Sequence, residues 1–121
     1  LSELAVGIGP FVVGPAVERK LGVSAMSQLA IDATEWRSAE WAAARGLYAS
    51  VHDDATALDV AVEALAGRLA ASNPEAMAEM KATFWRGTED WDDLLAERAA
   101  ISGRLVLSDF TRQAIARFKA G

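Results

Sequence analysis

The chain has 121 residues, 52% of them hydrophobic and 24% charged, with a net charge of −5 and no cysteine. This length and balance suit a globular, core-forming domain; they exclude a disordered chain, a disulfide scaffold and thiolate chemistry. The acidic balance argues against a nucleic-acid partner, whose affinity would come mainly from Lys and Arg neutralising phosphates.

Abundant Ala, three prolines and few aromatics favour helices over a β-sandwich. Residues 1–15 read as a strand end running into a loop, punctuated by Gly7, Gly9, Pro10, Gly14 and Pro15. Phe11, Val12 and Val13 make that loop too apolar to lie free in water. A short helix is expected over 16–21 with Gly22 just past its end, and a second over 25–33 capped by Ser24. Ser38 is placed to cap a helix over 39–45, stopped at Gly46. Alternation in 47–51 predicts a short strand. Leu58, Val62, Leu65 and Leu69 recur at helical spacing and predict a helix over 57–72. Asn73 followed by Pro74 marks the start of the next helix. Thr88 is the expected cap of a helix reaching about residue 107, with Gly103 its weak point and acidic residues 89–93 at its positive end. Ser108 is expected to cap a last helix over 109–119. No apolar run approaches the roughly 20 residues needed to cross a bilayer, and the start lacks the basic region of a signal peptide, so no membrane partner is expected. The lack of cysteine fits a reducing, cytoplasmic setting.

Few residues invite chemistry on their own. By composition alone Glu3 is an ordinary exposed glutamate. The spacing of Gly7, Gly9 and Gly14 fails the G-x-G-x-x-G pattern, because position 12 is Val. His52 has no second His and no Cys to share a metal with, so no metal site is expected; it reads as a solvated loop residue. The four tryptophans (Trp36, Trp41, Trp85, Trp91) lie near helix ends and read as packing and subunit contacts.

The order of the segments carries more. Ser2 to Pro10 resembles the segment "PE-apolar-apolar-apolar-G-apolar-x-P" of the enoyl-CoA hydratase/isomerase (crotonase) family. In register behind it, 16–22 resembles "QRLxRxxG", 24–33 resembles "KAMELLLTG", 37–47 resembles "ISAEEAxxxGLV", and 72–81 resembles "SPxAxxxxK". The likeness thus covers nearly the whole chain. It departs from the pattern at Ser2, where the family has Pro, and in the bulkier loop from Gly9 to Gly14.

The resemblance implies an α/β crotonase-type spiral fold, of which this stretch is the mainly α C-terminal portion with a strand-loop entrance. Residues 1–72 would close the spiral core, and 73–121 would form the helical oligomerisation and CoA-covering region. An upstream half would supply most of the sheet, the oxyanion-hole donors and a second catalytic glutamate, leaving this stretch inactive alone. The implied activity is hydration of a 2-enoyl-CoA, or an isomerisation of the same substrate class. Glu3 would be the catalytic acid/base, and Gly7, Pro10, Phe11, Val12 and Phe118 would bind substrate. CoA belongs to the substrate, and no separate cofactor is implied. The implied assembly is a trimer or a dimer of trimers. Against this stands a simpler expectation: a non-catalytic helical interaction module in which Glu3 is incidental.

Overall fold

The computed structural model describes residues 1–120, with side chains through Lys119. It is all helical, and no strand occurs among the described residues. A 3-10 turn over Glu3–Val6 leads to α1 (Gly14–Ile31), α2 (Ala39–Ala44), α3 (Ala55–Ala70), α4 (Pro74–Phe84), α5 (Trp91–Val106) and α6 (Asp109–Ala120).

Local chemistry explains most of these boundaries. The Ser38 hydroxyl accepts the Trp41 N–H at 3.1 Å and starts α2. The Asp54 carboxylate accepts the Ala57 N–H at 2.8 Å, so α3 begins two residues before its apolar stripe suggests. The Asn73 side chain accepts two N–H groups, at 3.0 and 3.3 Å, with Pro74 at the first helical position. Each such cap stabilises its helix by about 1 kcal/mol. Gly22, at φ 73° and ψ 163°, interrupts α1 and separates the two expected helices by a kink.

Three local expectations are corrected. The entrance at Glu3–Val6 is a 3-10 turn closed by Gly7 in the left-handed region, not a strand end. Residues 47–49 form bends, not a strand, because no neighbouring strand is present to take up their backbone groups. Thr88 does not cap α5; its hydroxyl donates back to the Trp85 carbonyl at 2.7 Å, and the helix starts at Trp91. As expected, α5 continues through Gly103 and ends near residue 107, at Val106.

The chain divides into two compact units. One combines Leu1–Ala49 with the chain from Asp92 onward; the other is Ser50–Trp91. The first holds all the buried residues among those described: Gly14, Ala25, Met26, Ala42, Ala114 and the polar Thr111. Its closest packing brings the 3-10 turn against α6 and α1. In the second unit, α3 and α4 bury no residue, and Trp85 meets Trp91 edge-on with ring centroids 5.9 Å apart. Many large apolar side chains stay in water, Leu58, Val62, Leu65 and Leu69 of α3 among them.

Candidate functional site

Glu3 is the first residue of the 3-10 turn and is half-buried. The turn forms because Ala5 N–H donates to the Ser2 carbonyl at 3.1 Å and Gly7 N–H donates to the Leu4 carbonyl at 3.0 Å. Ile8 N–H then returns to the Glu3 carbonyl at 3.0 Å. The side chain lines an open cavity of about 500 Å³. Val17 and Leu29 of α1 and Ala42 of α2 supply apolar lining, and Trp36, Trp41 and Tyr48 supply aromatic lining. Glu35 and Arg37 are its other charged lining residues.

The Oε2 atom of Glu3 is withdrawn from solvent and has no hydrogen-bond partner. A carboxylate oxygen in that state costs free energy unless something outside the chain satisfies it. The arginine on the cavity wall is engaged elsewhere. Arg37 pairs with Asp32 at 2.8 Å and stands 5.9 Å from the Trp41 ring centroid. The Arg45 guanidinium lies 4.2 Å from the same centroid. Glu3 thus brings a carboxyl group to the edge of a cavity with mixed polar, apolar and aromatic walls, an arrangement that suits acid–base work on a bound ligand.

The other expected substrate residues are not gathered around Glu3. Gly7 backs onto α6, where an added Cβ would come within 2.5 Å of the Phe110 ring. Pro10 and Phe11 come together in a different, smaller cleft of about 210 Å³, with Met26, Ala30 and Arg98. Val12 is exposed, and Phe118 on α6 is 85% exposed. His52 lies outside both cavities, its Nε2 2.8 Å from the Ser50 hydroxyl. Trp36 is 93% exposed, more than a packing role predicts, while Trp41 and Tyr48 share its cavity. Nothing in the sequence periodicity signals that grouping, since the three lie on a loop, a helix and a bend. Among the described residues no group of three His, Cys, Asp or Glu is placed to hold a metal ion, and no helix is long and apolar enough to cross a membrane.

No protein-family model matches this sequence, and no curated protein matches it significantly.

Proposed function

We propose that the chain is the C-terminal portion of an enoyl-CoA hydratase/isomerase-type enzyme, with Glu3 as an acid/base acting on an acyl-CoA thioester. The observation that carries this reading is Glu3, which lines a cavity of about 500 Å³ and keeps one carboxyl oxygen withdrawn from water and unpartnered. In hydration of a 2-enoyl thioester, water oxygen bonds to the β carbon and a proton is delivered to the α carbon. A carboxyl group with a vacant oxygen can hold or hand over that proton. Donors to the thioester oxygen, which stabilise the enolate-like intermediate, would come from the upstream half. The order of family-like segments from Ser2 to Lys81 gives further support. So does the large exposed apolar surface of α3 and α4, which suits a trimer or a dimer of trimers.

The same exposed faces favour a second reading, a helical interaction module with no catalytic role. The two readings separate in one experiment. The protein is expressed together with the coding sequence preceding Leu1, and loss of the enoyl-thioester absorbance of crotonyl-CoA is followed for wild type and Glu3→Gln. The enzyme reading expects turnover by wild type and a loss of about 100-fold or more in the amide variant. Equal turnover by both removes Glu3 from the chemistry. No turnover, together with no binding of CoA, favours the interaction module.

A further inference from the structure

The turn that carries Glu3 is backed by the last helix. Thr111 of α6 is the most deeply buried side chain described, 0% exposed. Ser108 fixes its orientation: the Ser108 hydroxyl oxygen accepts the Thr111 N–H at 3.3 Å, and the hydroxyl donates to Thr111 Oγ1 at 3.2 Å. Against Thr111 lies the backbone of Gly7. A Cβ added to Gly7 would stand 2.7 Å from Thr111 Oγ1 and 2.5 Å from Phe110 Cδ1, both too close for carbon. Gly7 also has φ 83°, a conformation that side chains resist. Its N–H points back to the carbonyls of Glu3 and Leu4, and the next N–H, from Ile8, bonds the Glu3 carbonyl. Thr111, Gly7 and the Glu3 backbone therefore form one stack with no slack between layers.

We propose that Thr111, assisted by Phe110, is a positioning residue for Glu3. It acts through Gly7, sets the tilt of the 3-10 turn, and so aims the Glu3 carboxylate into its cavity without touching substrate. The proposal rests on the reading of Glu3 as acid/base. Misplacing a reacting group by about 1 Å costs about 100-fold in rate. Most of the cavity wall comes from α1, α2 and the segments that flank α2, and Thr111 is not part of it. The loss should therefore fall on kcat and spare KM.

The test uses the full protein that contains this segment, with crotonyl-CoA as substrate. Thr111→Ala should lower kcat about 10- to 100-fold with KM changed less than about 2-fold. Thr111→Ser, which keeps the hydroxyl, should recover most of the rate. In a Glu3→Gln background Thr111→Ala should cost little more, because the group it aims is already disabled. Should Thr111→Ala fail to fold by circular dichroism, Phe110→Ala decides, since that ring is 60% exposed and its removal leaves the core intact; it should lower kcat in the same direction. Wild-type kcat in the folded variant, a loss carried equally by KM, or a full additive loss in the Glu3→Gln background would each overturn the positioning role. Wild-type activity in Glu3→Gln itself, or no turnover by wild type, would overturn the acid/base reading, and the positioning role with it. A disabled Glu3→Gln beside an unaffected Thr111→Ala would sink the positioning role alone.

Discussion

Ser38 serves two neighbours at the start of α2. Its hydroxyl oxygen accepts the Trp41 N–H, and its hydrogen bond to Glu40 holds that carboxyl below the usual carboxylate range, helped by Glu40's own backbone N–H. A lowered folded-state pKa means that the folded chain binds the proton more weakly than the unfolded chain does. The resulting stabilisation is present above the unfolded pKa and is lost as pH falls through the folded one. Because Glu40 is fully exposed, the contribution is screened. Ser38→Ala is expected to move the Glu40 titration upward, read from its side-chain carboxyl carbon by NMR across acidic pH. An unchanged titration would mean that Ser38 is not the main cause. This single position was legible from sequence as a cap because the geometry is local. The buried Oε2 of Glu3 was not, because burial of one atom depends on tertiary packing rather than on neighbours in sequence.

The helices tell the same story at the next scale. The caps at Ser38 and Asn73 and the breaks at Gly22 and Gly46 follow from short-range chemistry and stand where sequence reasoning puts them. Gly22 is the sharpest case. Its φ of 73° and ψ of 163° lie in a region open essentially to glycine alone, and nothing stands within 4 Å of an added Cβ. Gly22→Ala should therefore destabilise the fold by about 1–3 kcal/mol through backbone strain alone. Chemical denaturation would measure it; a variant as stable as wild type would mean that α1 straightens through the kink at no cost. The two expected strands failed for the opposite reason. Alternating apolar residues fit a strand only when a partner strand satisfies the backbone, and no run of residues states whether one is at hand. The docking of α6 on Gly7 was hidden likewise, because amphipathic spacing says which face is apolar and not which element meets it.

For the molecule as a whole, the surface is the main finding. Leu58, Val62, Leu65 and Leu69 form the expected stripe on α3, and each is close to half exposed. Phe84 and Met80 of α4 are exposed as well. Exposed apolar side chains grouped on one helix face suit a contact between molecules. If copies of the protein meet on α3, the pair of substitutions Val62→Glu and Leu65→Glu should lower the mass seen in sedimentation velocity while leaving helical content unchanged. Retention of the wild-type mass would place the subunit contact elsewhere. The contact between Gly7 and Thr111 has a different consequence, one of timing. Its two halves stand near opposite ends of the described chain, so on the ribosome the Glu3 turn emerges long before the helix that backs it. Closing so long a loop is entropically slow compared with forming a cap or a helical turn. The helices can form as they emerge, but the carboxylate is set in place only after α6 has been made, and a nascent chain halted before Ser108 would carry Glu3 on an unsupported turn.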